Sequence, residues 1–165
     1  MKFRHLTRRF FAALSARVEP SDLVVLEEFL NGSERALFLK LSAADQRHSL
    51  DLFRRLWNDG HQTPDLLRAA LLHDVGKAAG PLPLAFRVVY SLAAGVNARW
   101  AAWLGAPERP GLFRPFYLAA HHPILGAQAA ECAGSNPNVV RLIAGHGSPG
   151  GDALSKTLYH YDGQM

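Results

Sequence analysis

The heptapeptide Leu71-Leu72-His73-Asp74-Val75-Gly76-Lys77 constrains this chain more than any other stretch. It sets an imidazole, a carboxylate and an ammonium at the end of an apolar run. Whatever buries the leucines therefore carries three polar groups to the edge of a core. Thr63-Pro64-Asp65 reads as a helix start, with Thr63 a good N-cap and Pro64 suited to the first helical position. Leu66, Leu67, Ala70 and Leu71 then recur at helical spacing. Continued as a helix, Ala70, His73, Asp74 and Lys77 fall at i, i+3, i+4 and i+7 and share a face. That face joins a metal-ligand type, a carboxylate able to bridge and a cation suited to phosphate. Taken alone, the same residues also describe a helix end with a buried histidine bonded to its neighbouring aspartate.

The flanking sequence supplies more helices. Ser21 is placed to cap one through Val24, Val25, Leu26, Phe29 and Leu30, stopped by Asn31-Gly32, and a short helix spans 34–40. Ser42, with Asp45 three residues on, resembles a capping box opening a helix to about Asn58. His48 lies on that helix's apolar stripe with Leu41, Leu52 and Leu56, and so faces inward. Phe116 to His122 reads as a helix or its end, and Pro123 starts the next, through Ile124, Leu125, Ala129 and Cys132. Asn136-Pro137 begins another, with Val139, Val140, Leu142 and Ile143 inside and His146 at its end. The last carries Leu154, Leu158 and Asp162 at i, i+4 and i+8. Strand signals are nearly absent, so the predicted fold is an all-α helical bundle.

In this order the residues resemble the HD superfamily of metal-dependent phosphohydrolases. The matching positions are His48, then His73-Asp74 within HDVGK, His122 within His122-Pro123-Ile124-Leu125-Gly126, His146, and Asp162. The resemblance runs from about Ser42 to the C-terminus and is to small bacterial single-domain members. The long GYP segment of cyclic-di-GMP phosphodiesterases is absent. It implies that residues 1–40 are N-terminal helices packed on an HD-type metal-binding domain of residues 41–165, one compact unit overall. It also implies that His48, His73, Asp74 and Asp162 hold one divalent transition metal (Mn, Fe, Ni, Co or Zn). Metal-activated water would then hydrolyse a phosphate ester, with Asp74 and Lys77 catalytic and Lys77 also contacting the phosphate. In two-metal relatives the HPxxG histidine and a later His-His pair complete a second site, bridged by the Asp of HD. Here His146 stands alone between Gly145 and Gly147, so His122 and His146 bind either a second ion or substrate phosphate. His121 competes with His122, but Pro123 and Gly126 fix the register on His122. Asp152 competes with Asp162, yet it follows Gly150-Gly151 and looks like an N-cap. His5, His61 and His160 have no motif around them. Relatives with the same ligand types include two-iron oxygenases and non-catalytic ligand-sensing modules, which stand as alternatives.

A chain of 165 residues, 48% hydrophobic and 19% charged, is the size and make-up of one globular domain. Its net charge of +4 favours an anionic partner, in keeping with a phosphorylated small molecule such as a nucleotide. No basic run with interleaved aromatics follows the N-terminus, so nucleic acid is not indicated. The single Cys132 excludes an internal disulfide framework and fits a cytoplasmic protein, and no CxxC offers a zinc ribbon. Residues 2–17 form a basic amphipathic stretch with three readings: a helix packed on the domain, a peripheral membrane contact, or an export signal around Thr7-Arg8-Arg9-Phe10-Phe11. Against export, its apolar core runs only from Phe10 to Ala16 before Arg17 and Glu19. Residues 81–107 are apolar with sparse charge but too interrupted by Arg87 and Arg99 to span a bilayer. For this segment, Trp100, Trp103 and Leu104 included, three roles stand: core packing and cover for the cleft, which is favoured, docking on a membrane surface, or a partner interface.

Overall fold

The computed structural model describes residues 19–108 and 111–165, and the amphipathic stretch at 2–17, with its competing readings, lies outside them. Among the described residues the protein is all-α, with nine α-helices, two short 3-10 turns and no strand. The helices are α1 Pro20–Phe29, α2 Gly32–Leu39, α3 Ala43–Asn58, α4 Pro64–Leu72, α5 Leu84–Val96, α6 Ala98–Leu104, α7 Arg114–Cys132, α8 Pro137–Gly145 and α9 Ala153–Asp162. The 3-10 turns are Val75–Ala79 and Gly111–Phe113.

The cap chemistry differs from the sequence expectation at three places. Pro20 takes the first position of α1 and moves the cap from Ser21 to Glu19, whose N–H donates to the Asp22 carboxylate at 2.8 Å. Asn31 does not end α1 with Gly32 but caps α2. Its Oδ1 accepts from the Ser33 and Glu34 N–H groups, and its own N–H donates to Glu34 at 2.8 Å. Ser42 caps α3, but Asp45 does not reach back to close a capping box; it accepts the Ser42 hydroxyl at 2.6 Å and turns its carboxylate to Arg87.

The core is leucine-rich and runs through α3, α4, α8 and α9, with Leu50, Leu52, Leu56, Leu67, Leu71, Leu142 and Leu158 at 0% exposure. Helices α1 and α2 join it through Leu26, Leu30 and Phe38. Two buried carboxylates fix their positions. Asp22 on α1 pairs with Arg47 at 3.0 Å and with Arg54, both on α3. Glu34 on α2 pairs with Arg68 of α4 at 2.8 Å and accepts the Ser135 hydroxyl at 2.6 Å. A buried carboxylate so surrounded is compensated; stripped of one partner it is costly.

Three larger departures follow from local physics. Helix α4 ends at Leu72, so His73 and Asp74 sit in a turn and Lys77 in the 3-10 turn, not on one continuous α-helical face. Pro123 does not begin a helix: α7 runs straight through it from Arg114 to Cys132. Its inner face is Leu118, Gly126, Ala127 and Ala130, while Ile124 and Cys132 are exposed. The proline is tolerated because the carbonyl it leaves without a donor finds another one, described below. Finally, the 81–107 segment is not core. No residue of α5 and only Ala101 of α6 is buried, and Trp100 and Trp103 are 61% and 54% exposed. The cleft-cover role falls to one side of α5 alone. No single helix among the described residues is long and apolar enough to cross a membrane.

One contact positions the whole central region. The 3-10 turn packs on α7 with Gly76 against Gly126, the glycines of HDVGK and HPxxG. A Cβ at Gly76 would lie 2.0 Å from the His122 carbonyl oxygen and 2.6 Å from the Gly126 nitrogen, both backbone atoms that cannot swing away. Gly76→Ala is accordingly expected to cost about 1–3 kcal/mol through overpacking. Gly145→Ala, where nothing lies within 4 Å, should be neutral or gain about 0.5–1 kcal/mol of helix propensity. Denaturant melts of the two variants beside wild type check this contrast.

Candidate metal centre

Six side chains from four helices and the turn after α4 converge on one point. His48 comes from mid-α3, His73 and Asp74 from the turn, His122 from α7 beside Pro123, His146 from the end of α8 and Asp162 from the end of α9. Three overlapping triplets among them bring their ligand atoms within 4.8 Å of one another: His48, His73 and Asp74; His73, His146 and Asp162; Asp74, His122 and His146. Asp74 lies at the centre, 2% exposed, with its two oxygens facing opposite halves. Oδ2 looks towards His73 Nε2 at 3.3 Å and His48 Nε2 at 4.0 Å, where Asp162 Oδ1 closes the group at 2.8 Å from His48 and 3.6 Å from His73. Oδ1 looks towards His122 Nε2 at 3.4 Å and His146 Nε2 at 3.9 Å. Ligand atoms about 2.1 Å from one ion, at angles of about 90–110°, lie roughly 3.0–3.4 Å apart, the scale of these separations.

The orientation of three histidines has a common cause. The Nδ1–H groups of His73, His122 and His146 donate to the carbonyls of Ala70, Ala119 and Ile143, each three residues back, at 2.9, 2.8 and 2.7 Å. Ala70 and Ile143 are near the C-termini of their helices, where the last carbonyls lack ordinary intrahelical partners. Ala119 is four residues before Pro123, which has no N–H to give it. A carbonyl only accepts, so each ring carries its proton on Nδ1, and Nε2 is the atom presented to the centre.

That arrangement is electrostatically incomplete. His122 Nε2 and His146 Nε2 face each other at 3.2 Å, with a carboxylate oxygen beside them. Burial, with the charge on His73 adding to it, pulls His146 down to about 3, so its ring is neutral and its Nε2 is a lone pair. On the other side, His73 Nε2 is fully buried with no hydrogen-bond partner. Burial disfavours charge on His73, but the Asp74 and Asp162 carboxylates outweigh it and lift the ring to about 10. Both carboxylates are themselves held well below their ordinary range: burial opposes this and loses, at Asp74 to the charges of His73 and Lys77 and at Asp162 to the hydrogen bond with His48 and the charge of His73 close by. The centre thus gathers acceptors, and the two carboxylates keep a proton on the His73 ring between them. These His and Asp groups fit a divalent ion: imidazole and carboxylate suit a first-row transition metal, and no thiolate is near.

His5 lies outside the described residues; the remaining histidines, His61, His121 and His160, point away. His121 donates its Nε2–H to the Gly105 carbonyl at 3.0 Å and stacks by Tyr117, outside the cluster. His61 is edge-on to Tyr161, and His160 is exposed beside Gln164. Asp152 caps α9, its Oδ1 accepting from Ser155 N–H at 2.9 Å.

The centre is the floor of a cleft of about 460 Å³ whose walls include Asp45, Lys77, Leu82, Leu84, Arg87, Val88 and Tyr90. Lys77 Nζ lies 2.5 Å from Asp74 Oδ2 and 3.8 Å from Asp45 Oδ1. Arg87 of α5 grips Asp45 with both ends of its fork, at 2.6 and 2.9 Å, and donates to Leu82 O at 3.3 Å. Nothing in the sequence marks Asp45 or Arg87 as a site residue: one resembles a capping residue, the other a charge interrupting an apolar run. A lone cation in such a run was the only available signal. No protein-family model, curated protein or solved structure matches this chain.

Asp45 also sets a pH test. Burial raises its carboxyl, but the Arg87 bond and the Lys77 charge outweigh that and leave it below its ordinary 3.8. The folded state therefore binds this proton more weakly than the unfolded chain. The pair's contribution is present above 3.8 and is lost as pH falls through the lowered folded value. Asp45→Asn is expected to cost about 1–3 kcal/mol at neutral pH, and the gap to wild type should narrow below about pH 4. Thermal melts at the two pH values measure it.

Proposed function

We propose that this protein is a metal-dependent phosphohydrolase of the HD type, acting on a phosphate monoester or diester. The observation that carries the reading is the division of Asp74, one oxygen towards His48, His73 and Asp162 and the other towards His122 and His146. His48, His73, Asp74 and Asp162 would hold one ion, and Asp74, His122 and His146 a second. Such ions supply Lewis acidity and acidify water towards neutrality.

The chain's own groups then have distinct tasks. Lys77, on a flexible stem at the cleft floor, is positioned to bind a phosphoryl oxygen and neutralise charge developing there. Asp74 orients both histidine groups and holds the Lys77 ammonium near the floor. The Nδ1–carbonyl bonds fix the rings so that no reorientation is needed when a ligand arrives. Asp45 and Arg87 fasten α5 over the cleft, so that Leu84 and Val88 can exclude water from its upper part. The basic balance of the chain favours an anionic ester at the cleft.

The test begins with metal content by mass spectrometry, on protein purified without a chelating tag. Up to two equivalents of transition metal are expected in wild type and a near-complete loss in Asp74→Asn; His122→Ala should remove only the second equivalent. With metal bound, hydrolysis of p-nitrophenyl phosphate and bis(p-nitrophenyl) phosphate reports the ester class. Lys77→Ala should lower turnover about a hundredfold with metal content unchanged. Absence of metal from wild type after incubation with Mn, Fe, Co, Ni and Zn would sink the reading.

A further inference from the structure

Helix α5 has two sides with different fates. Leu84, Arg87 and Val88 line the cleft, whereas Val89, Leu92 and Val96, at i, i+3 and i+7, are exposed by 49%, 44% and 74%. The exposed apolar surface continues into Trp100 and Trp103 of α6 and into Leu112, which is 84% exposed. Ring contacts tie these parts together: Trp103 packs edge-on to Phe113, Phe113 lies by Phe116, and Phe116 meets Phe86 of α5. Soluble surfaces scatter single apolar residues; several on one pair of helices mark a docking surface.

Charge says what docks there. Between Asp74 and Glu108 the sequence has no acidic residue, and the cations Arg99 and Arg114 are exposed beside the tryptophans and Leu112. A second copy across a two-fold axis would set these arginines near their own kind with little carboxylate to answer them. The chain's basic segment at 2–17 carries Lys2, Arg4, Arg8, Arg9 and Arg17 and no acid, so it is the wrong sign as an occupant. Exposed tryptophans with aliphatic neighbours and flanking arginines suit the interface of an anionic bilayer. Helix α5, with 13 residues, is about 20 Å long and lies along such a surface rather than across it.

We propose that α5, α6 and the turn at Leu112 form a peripheral docking face for anionic lipid, placing the wall of the cleft at the membrane surface. The test uses the full chain with Trp57→Phe, so that emission reports Trp100 and Trp103 alone. Vesicles of phosphatidylglycerol and phosphatidylcholine are compared with phosphatidylcholine alone. Expected are a blue-shifted emission and co-sedimentation with the anionic vesicles, both weakened by salt. In the chain that keeps Trp57, Trp100→Ala with Trp103→Ala should reduce that partitioning about tenfold or more, with helical content and metal content unchanged. Should that double variant fail to fold, Arg99→Glu, at an exposed position, is expected to weaken partitioning on its own. Undiminished binding in the folded variants would overturn the proposal and locate lipid contact elsewhere in the chain. Absence of wild-type binding at low salt would overturn it too, as would a concentration-dependent dimer, abolished by the tryptophan changes, in place of vesicle binding.

Discussion

Three hydrogen bonds from imidazole Nδ1 to a carbonyl three residues back determine what the centre of this bundle can be. They convert unavoidable defects of helices into orienting contacts. A helix end leaves carbonyls without partners, and a proline inside a helix leaves one more. At Ala70, Ala119 and Ile143 a histidine side chain supplies the donor. The backbone is satisfied, the tautomer is set, and three Nε2 atoms are turned to one place. Had α4 continued past Leu72, its next residues would have lain on a helical face and not around Asp74.

The same economy governs the backbone crossing beneath. Helix α7 can bring His122 to the centre only if the 3-10 turn and α7 meet at backbone distance, which the Gly76–Gly126 contact permits. The scaffold around it is tied by buried carboxylates with complete partner sets, Asp22 to Arg47 and Arg54, and Glu34 to Arg68, Ser135 and Asn31. Removing the entropy of α1 and α2 thus rests on charge geometry as well as on Leu26, Leu30 and Phe38.

How much of this was legible depended on whether a residue's role is local. The all-α class, the inward His48 and the cap at Asp152 could be read because spacing and cap chemistry are properties of a few consecutive residues. The convergence of His48, His73, Asp74, His122, His146 and Asp162 came from the order of motifs, not from any one of them. The break at Leu72 is not legible, because leucine-rich periodicity does not mark where an α-helix yields to a 3-10 turn. Pro123 looks like a helix start in sequence, because the donor that rescues Ala119 is its neighbour's side chain. Asp45 and Arg87 are 42 residues apart, and nothing in either segment names the other. The exposure of Trp100 and Trp103 is invisible in sequence, because an apolar run looks the same whether it is covered or not.

The cleft floor balances the charges of its own side chains. Asp45, Asp74 and Asp162 are anionic; Lys77, Arg87 and the proton that the carboxylates keep on His73 answer them one for one. On the reading proposed above, the chain's overall positive charge would draw an anionic ester towards the cleft, but the floor itself would add no net attraction. Exchanging one proton for a doubly charged ion tips the balance positive. On that same reading an order of assembly would follow: the ion would enter first, and the loaded centre would then draw in the anion.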